Sequence, residues 1–394
     1  MKLQLSDRVQ AIKPSPTLAV TARAQELRAQ GRDIIGLGAG EPDFDTPDHI
    51  KEAAIQAIRD GFTKYTPVGG TPGLKKAIVE KFRRDNGLEY EPAQILVSVG
   101  GKQSFYNLAQ ALLNPGDEVV IPAPYWVSYP DMVLLAGARP VIVEAGIEQD
   151  FKIRPEQLEG AITERTRLVV INSPSNPTGV MYTRAELAAL GEVLRRHPHV
   201  LVATDDMYEH IQWSEEGFSN ILNACPDLYE RTVVLNGVSK AYAMTGWRIG
   251  YAAGPQPLIA AMTKIQSQST SNPTSIAQVA AQAALEGDQS SIGVMLEAFK
   301  ARHDFVVEAL NRIPGVTCRP ADGTFYCFPS VAGAIERIDG VGDDVALAEY
   351  LLNEAGVAVV PGSAFGAPGY VRLSFATSMD NLEKALARMA EALA

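Results

Sequence analysis

The sequence is poor in cysteine and histidine, the residues that build disulfide frameworks and most metal sites. Its three cysteines, Cys225, Cys318 and Cys327, lie far apart and none has CxxC spacing, so we expect reduced, packed thiols in a reducing compartment. Of the five histidines, only His197 and His199 lie close together, and they form no pattern of metal ligands. The sequence therefore predicts neither a disulfide framework nor a metal centre.

Long apolar segments and a basic excess are also missing. No segment approaches the ~18 consecutive apolar residues that a membrane-spanning helix requires, and no basic segment followed by an apolar one opens the chain. Acidic residues outnumber basic ones by 46 to 35, and the net charge of −11 argues against a nucleic-acid or anionic-membrane partner. These features are typical of a cytoplasmic enzyme, and 394 residues leave room for two or three domains.

The glycine-rich segment near residue 38 does not fit a dinucleotide-binding loop. After Gly36 and Gly38, the third glycine of that fingerprint would fall at Glu41, and Pro42 prevents an immediate helix. A dinucleotide oxidoreductase is therefore a poor fit. The glycines are better explained by a ligand that approaches the backbone near Gly40.

Several short apolar segments predict buried strands, and each is followed by a polar or glycine-rich turn. Because these strands alternate with helices, we expect a mostly parallel sheet whose strands end at one common edge, where ligands bind. The strands and the residues that follow them are 95–99 with Gly101, 168–171 with Asn176, 200–203 with Asp205 and Tyr208, and 232–235 with Lys240. We therefore predict that these side chains converge on one site.

Lys240 has an unusual setting for a lysine. It follows a buried strand and lies in a turn of small and apolar residues, where partial burial lowers the pKa of an amine and makes it a nucleophile toward carbonyls. Arg248 comes eight residues later and offers a planar cation suited to phosphate or carboxylate. Taken alone, however, Lys240 is better explained as a structural lysine at a turn.

The whole segment 236–251, NGVSKAYAMTGWRIGY, closely resembles the pyridoxal-phosphate lysine segment of class I aminotransferases. Similar family motifs occur in EPDFDTP at 41–47, APYWVSY at 123–129, NPTG at 176–179 and D-x-x-Y at 205–208, so the resemblance covers essentially the whole chain. It implies the type I fold of pyridoxal-phosphate enzymes, with a mostly parallel central sheet, helices on both faces and a smaller α/β domain. It also implies that Lys240 carries the cofactor and that Arg248 grips its phosphate.

The resemblance implies further cofactor contacts. Asp205 would keep the pyridine nitrogen protonated, and Asn176 and Tyr208 would hydrogen-bond the phenolic oxygen. Lys240, once displaced by substrate, would act as the catalytic base. Many members have a serine three residues before the lysine, where this chain has Gly237, so one phosphate hydrogen bond would be absent or replaced. The remaining implied contacts are Gly101, Lys102, Trp126, Ser239 and, from the second subunit of a homodimer, Tyr65.

Substrate contacts follow from the same resemblance. Arg372 would clamp the α-carboxylate, with Gly40, Trp126 and Asn176 beside it. The best match is the bacterial-type aspartate aminotransferases, some of which also use prephenate. The segment 264–269 has no arginine for a distal carboxylate, so the candidate cations are Lys102 and Lys13, assisted by Thr17.

We therefore predict a homodimeric transaminase that acts on amino acids and 2-oxo acids by a ping-pong mechanism. It would convert L-aspartate and 2-oxoglutarate into oxaloacetate and L-glutamate, with prephenate as another acceptor. An aromatic or broad-specificity aminotransferase stays open as an alternative. A regulatory module that binds pyridoxal phosphate is a remote alternative, because no basic DNA-binding segment precedes the core motifs. The expected divisions are an N-terminal arm and part of the small domain at 1–45, the large domain at 46–290 and the small C-terminal domain at 291–394.

Overall fold

The computed structural model describes residues 3–394, and helices account for much of this part of the chain. In chain order they are α1 Asp7–Gln10, α2 Pro16–Ala29, α3 Asp48–Arg59, α4 Pro72–Lys81, α5 Gly101–Leu112, α6 Ser128–Leu135, α7 Pro155–Ala161, α8 Arg184–Arg196, α9 Ile221–Ala224, α10 Gln256–Ser267, α11 Ser275–Glu286, α12 Ser290–Asn311, α13 Ala332–Ile335, α14 Asp344–Tyr350 and α15 Met379–Ala392. Among residues 3–394, no helix is both long and apolar enough to span a membrane.

The strands are short and fall between the helices. They are β1 Ile35–Gly36, β2 Ile95–Ser98, β3 Glu118–Ala123, β4 Arg139–Glu144, β5 Thr166–Asn172, β6 Leu201–Asp205, β7 Thr232–Gly237, β8 Gly250–Ala253, β9 Tyr326–Cys327, β10 Val357–Ala358, β11 Val360–Pro361 and β12 Val371–Ser374. Single π-helical turns occur at Phe82–Asn86 and Leu351–Ala355.

A seven-stranded central sheet has the order β2-β8-β7-β6-β5-β3-β4. Strands β3 to β7 pair in parallel, whereas β8 runs antiparallel to both of its neighbours, β2 and β7. Helices bury both faces of the sheet, which explains the nearly continuous apolar sequences of the inner strands. The predicted α/β class, with a mostly parallel sheet and helices on both faces, is confirmed.

The register of the parallel strands aligns the residues that follow them. Asn172 at the end of β5 pairs with Asp205 at the end of β6, and Asp205 pairs with Leu235 near the end of β7. Because neighbouring strands lie about 4.8 Å apart, the turns after these three strands form one continuous edge. The expected alignment of the strand ends is confirmed.

A smaller α/β unit forms around the long helix α12. Phe299 of this helix packs against Phe325 and Phe375, beside the antiparallel sheet β11-β12-β9. Helix α2 packs its Leu27 into a cluster with Ala358 of β10, so the N-terminal and C-terminal parts of the chain lie together. The domain boundaries expected after residues 45 and 290 stay a prediction.

Local irregularities have physical causes. Helix α4 ends at Lys81 and the chain continues as a π turn, which the left-handed Gly87 terminates. Strands β10 and β11 are separated at Val359, because β10 pairs with β1 and β11 pairs with β12. Strand β8 lacks a β-branched signature because a Cβ at Gly250 would lie 2.2 Å from the Gly101 nitrogen.

Candidate active site

A cavity of about 370 Å³ opens at the carboxyl ends of the central strands, where the smaller unit covers them. All the predicted site residues except Lys13 and Tyr65 line this cavity. Those that line it are Thr17, Gly40, Gly101, Lys102, Trp126, Asn176, Asp205, Tyr208, Ser239, Lys240, Arg248 and Arg372. Segments from across the sequence therefore meet at one site.

Lys240 lies in the turn after β7, in the middle of the cavity wall. Its Nζ donates a hydrogen bond to the Gly40 carbonyl and lies 5.7 Å from the centre of the Tyr208 ring. Burial, and then the charge of Arg372, lower the pKa of Lys240 to about 8. A substantial fraction of this amine is therefore neutral near physiological pH, as nucleophilic and base chemistry require.

Asp205 presents a carboxylate at the end of β6. It accepts hydrogen bonds from the Tyr129 hydroxyl and from the Met207 backbone nitrogen. Burial raises the pKa of Asp205, and the two hydrogen bonds together with the charge of Lys240 oppose that rise. A carboxylate withdrawn from water in this way is suited to pair with a cationic ring nitrogen.

Arg372 enters the cavity from β12 and is only 2% exposed. Its Nη1 donates to Asn176 Oδ1 at 2.8 Å and its Nη2 to the Gly38 carbonyl at 2.8 Å, while its Nε has no hydrogen-bond partner in the described chain. The guanidinium is thus held in place by neutral oxygens. It is a buried cation in the cavity wall with no carboxylate paired to it within residues 3–394, and this favours an anionic ligand.

Another part of the cavity wall, at Gly101 and Arg248, has the features of an anion site. Helix α5 begins at Gly101, so its first backbone N–H groups and its positive helix end face the cavity. Gly100 has φ 82°, and a Cβ there would lie 2.3 Å from Arg248 Nη2, so this turn needs a glycine. Arg248 itself is held by a hydrogen bond from Nη1 to the Thr245 carbonyl at 2.9 Å.

Packing explains Gly237, the position at which many family members have serine. A Cβ on Gly237 would lie 3.1 Å from Gly250 Cα and from the Ile249 carbonyl oxygen, and 3.2 Å from Met207 Cε. These contacts are tighter than ordinary van der Waals distances. The methyl group of Met207 thus lies close to where a serine side chain would begin.

Two predicted site residues lie outside the cavity. Lys13 is exposed and lies near Asp131. Tyr65 is 93% exposed, on the loop between α3 and α4. The roles expected of both residues stay predictions.

Several cavity residues were not anticipated from the sequence. Glu41 belongs to the family motif EPDFDTP, and Asn172 directly follows the predicted strand 168–171, so both could have been identified. Met207 and Thr245 lie in the turns after β6 and β7. Tyr326 comes from β9 within the apolar segment TFYCF, which reads as buried core and gives no sign of a site.

The arrangement fits pyridoxal 5′-phosphate, the cofactor that the sequence resemblance implies. The amine of Lys240 suits the aldehyde, the carboxylate of Asp205 suits the pyridine nitrogen, and the α5 terminus with Arg248 suits the phosphate. The guanidinium of Arg372 suits a substrate carboxylate. Each polar part of the cofactor thus has a partner of matching chemistry.

Comparisons with known proteins agree with this geometry. An aspartate/prephenate aminotransferase of Nitrosomonas europaea is 64% identical over 99% of this chain and 100% of its own length, and one of Cereibacter sphaeroides is 60% identical over 98% and 97%. The aspartate aminotransferase of Rhizobium meliloti superposes with a TM-score of 0.96 at 49% identity over 100% of this chain and 99% of that one. The Thermus thermophilus aspartate aminotransferase with maleate superposes with a TM-score of 0.93. It is 47% identical, over 99% of this chain and 100% of that one. Residues 32–389 match the family model "Aminotransferase class I and II", and the chain therefore belongs to that family.

Proposed function

We propose that this protein is a pyridoxal-phosphate-dependent transaminase that moves the amino group between L-aspartate and 2-oxoglutarate, with prephenate as a second acceptor. The names of its relatives support this choice of substrates. The observation that carries the proposal is the cavity itself, which brings together Lys240, Asp205 and the buried guanidinium of Arg372.

Lys240 would serve as both nucleophile and base. As a largely desolvated amine, its Nζ would hold the cofactor through the aldehyde group. When bound, pyridoxal phosphate supplies an electron sink that stabilises negative charge on the substrate α-carbon. The Nζ of Lys240 would take the proton from the substrate α-carbon and later give it back, and a pKa of about 8 suits the amine to accept and to donate a proton near neutral pH.

Other cavity residues are proposed to orient the cofactor and the substrate. Asp205 would pair with the protonated pyridine nitrogen, and Asn176 and Tyr208 would donate hydrogen bonds to the phenolic oxygen. Arg372 binds the α-carboxylate, with Asn176 Oδ1 holding the guanidinium in place. Lys102, whose Nζ lies 5.3 Å from the centre of the Trp126 ring, supplies a cation for the distal carboxylate.

Further roles concern the N-terminal arm and phosphate. Thr17 assists at the distal carboxylate, and Lys13 on the N-terminal arm is a second cation for it. Gly40 meets the α-carboxylate through its backbone. Ser239 assists Gly101 and Arg248 at the phosphate.

The protein is also proposed to act as a homodimer in the cytoplasm. Tyr65 of one subunit would reach the cofactor phosphate of the other. Its loop is ordered by Gln278, which donates to Thr66 Oγ1 at 3.0 Å, and by Ser275, which donates to the Phe62 carbonyl at 2.8 Å, while the Tyr65 ring is left exposed. Such an ordered, exposed aromatic side chain suits contact with a second copy. All three cysteines are buried free thiols, as expected in a reducing compartment.

A substrate panel tests the proposal. Purified protein loaded with pyridoxal phosphate is assayed with aspartate, alanine and phenylalanine as donors against 2-oxoglutarate, oxaloacetate and prephenate. Aspartate should be the best donor, and borohydride should fix the cofactor on Lys240, as mass spectrometry of peptides would show. Lys264→Ala, at an exposed lysine of α10, should keep both properties while Lys240→Ala loses both. Wild-type rates in Lys240→Ala would refute the mechanism.

A further inference from the structure

Tyr326 contacts both functional parts of the cavity, although no motif points to it. Its side chain is 1% exposed and extends from β9, next to β12, which carries Arg372. Its hydroxyl lies 2.9 Å from the Tyr208 hydroxyl, and its ring centre lies 4.3 Å from the Arg372 guanidinium carbon. One side chain thus links the residue proposed for the cofactor oxygen with the residue proposed for the substrate carboxylate.

The hydroxyl pair has a defined direction if Tyr208 serves the cofactor. Both phenols are buried, and burial raises the pKa of each, so each keeps its single proton. Within residues 3–394, each hydroxyl has no hydrogen-bond partner except the other. If Tyr208 donates its proton toward the cavity, the hydrogen bond between the two can be made only by Tyr326 donating to Tyr208.

The glycine at position 40 leaves the space that the Tyr326 hydroxyl occupies. A Cβ at Gly40 would lie 2.7 Å from the Tyr326 hydroxyl oxygen, so a side chain at position 40 would displace it. The Gly40 carbonyl meanwhile accepts from Lys240. Gly40 therefore fits closely between the lysine and Tyr326.

The ring has a separate function from the hydroxyl. The Arg372 guanidinium lies over the faces of Tyr326 and Phe365, at 4.3 and 5.0 Å, while two of its nitrogens donate to oxygens. Aromatic faces attract a guanidinium and exclude water from it without taking up its donors. The ring of Tyr326 therefore supports Arg372 and leaves Nε free.

We propose that Tyr326 is a positioning residue with two separable parts: its hydroxyl donates to Tyr208 and directs the Tyr208 proton toward the cofactor oxygen, and its ring holds Arg372 for the substrate carboxylate. This inference rests on the proposed transaminase function. Neither part makes or breaks a bond in the reaction.

Two substitutions separate the parts. Tyr326→Phe removes only the hydroxyl. The hydrogen bond from Tyr208 to the cofactor oxygen favours the deprotonated form of the bound cofactor. Tyr326→Phe should weaken that hydrogen bond and so raise the pH midpoint of the change in the cofactor absorption band by about 0.5 unit. Affinity for maleate, an unreactive dicarboxylate, should stay within about threefold. Tyr326→Leu also removes the ring and should weaken maleate binding about tenfold relative to Tyr326→Phe.

A matched control is Tyr182→Phe, since Tyr182 is also buried and its hydroxyl accepts from the Ile153 nitrogen at 3.0 Å, outside the cavity. It should move neither the midpoint nor the maleate affinity. Thermal melting of the apoenzyme shows whether Tyr326→Leu folds. If it does not, the pH midpoint of the cofactor absorption band in Tyr326→Phe still tests the role of the hydroxyl. A midpoint within 0.1 unit of wild type in Tyr326→Phe, or equal maleate affinity in Phe and folded Leu variants, would overturn the inference. A wild-type protein without a pH-dependent chromophore would overturn the proposed function as well.

Discussion

The turn that carries Asp205 and Tyr208 rests on a buried ion pair, and removal of its cation should destabilise the protein in a pH-dependent way. Lys81 and Glu209 have side chains that are 1% and 3% exposed and contact each other directly. Lys81 Nζ also donates to Asn86 Oδ1 at 2.7 Å, and Glu209 accepts from Asn86 Nδ2 at 2.7 Å and from Asn236 Nδ2 at 2.8 Å. Glu209 directly follows the proposed cofactor ligand Tyr208, so this network supports the floor of the site.

Lys81→Met keeps the volume of the side chain and removes its charge. Loss of one partner of a buried ion pair costs about 3–5 kcal/mol, because the remaining charge stays buried and loses its nearest counter-ion. Burial alone would raise the pKa of Glu209, but the charges of Lys81 and His210 hold it below its ordinary value. In wild type, Glu209 therefore contributes stability above the unfolded-state pKa of about 4.3, and this contribution is lost as the pH falls.

In Lys81→Met, the contribution of Glu209 to stability changes with pH in the opposite direction. Without Lys81, the pKa of Glu209 rises above its unfolded value, so the ionised carboxylate opposes folding at pH 8 and the penalty shrinks as Glu209 takes up a proton on acidification. Burial and the charge of Glu209 raise the pKa of Asp206 to about 7, and Lys81 opposes this rise, so the loss of Lys81 acts on Asp206 in the same direction. The deficit in unfolding free energy should therefore be largest at pH 8 and clearly smaller at pH 5.5.

Denaturant unfolding of the apoenzyme at both pH values measures this deficit. Lys76→Met, on the exposed side of the same helix α4, should change the unfolding free energy by less than about 0.5 kcal/mol. Lys81→Met combined with Glu209→Gln removes the orphaned charge and should recover more than half of the loss at pH 8. An equal deficit at the two pH values, or no recovery in the double variant, would contradict this account of the network.

Three further predictions concern the cavity. Asp205→Asn should lower kcat/KM for aspartate at least about 100-fold, while apoenzyme stability changes by less than about 1 kcal/mol; equal kinetics would remove its proposed role. Lys102→Ser should reduce kcat/KM for aspartate about tenfold more than for phenylalanine, whereas an equal loss would return Lys102 to a role at the phosphate. Maleate should raise the pKa of Lys240 in the apoenzyme, measured by the pH dependence of its modification by an amine reagent, and an unmoved pKa would exclude coupling to Arg372.

Much of this site could be predicted because the information is local. The segments before Asn176, Asp205 and Lys240 are apolar and β-branched, so each identifies a buried strand and a polar group at its end or in the turn after it. The alignment of the strand ends, Asn172 with Asp205, then follows from the parallel sheet. These three residues lie at strand ends or in the turns after them, and the sequence was enough to predict that they share one edge of the sheet.

What could not be predicted depends on contacts between distant segments. Strand β8 is built of small residues because Gly250 packs against the backbone of Gly101, about 150 positions away, and no local pattern reveals that contact. The sequence around Tyr326 predicts a buried core residue. Its polar contact is made by its hydroxyl with Tyr208, which lies 118 positions away in the chain. Lys13, in the segment before α2, likewise lies near Asp131 of the distant helix α6, which no local pattern reveals.

The charges of the cavity differ sharply from those of the whole chain. The chain has a net charge of −11, yet the cavity is lined by the cations Lys102, Lys240, Arg248 and Arg372 and by only two carboxylates, those of Asp205 and Glu41. Burial is the main reason that the pKa of Lys240 is low. Repulsion from the neighbouring cations is the second, and Arg372 contributes most of it. A carboxylate bound at Arg372 cancels part of that repulsion and makes Nζ a stronger proton acceptor. Because this gain comes only with a bound carboxylate, the guanidinium proposed to select the substrate would also prepare the proposed base, Lys240.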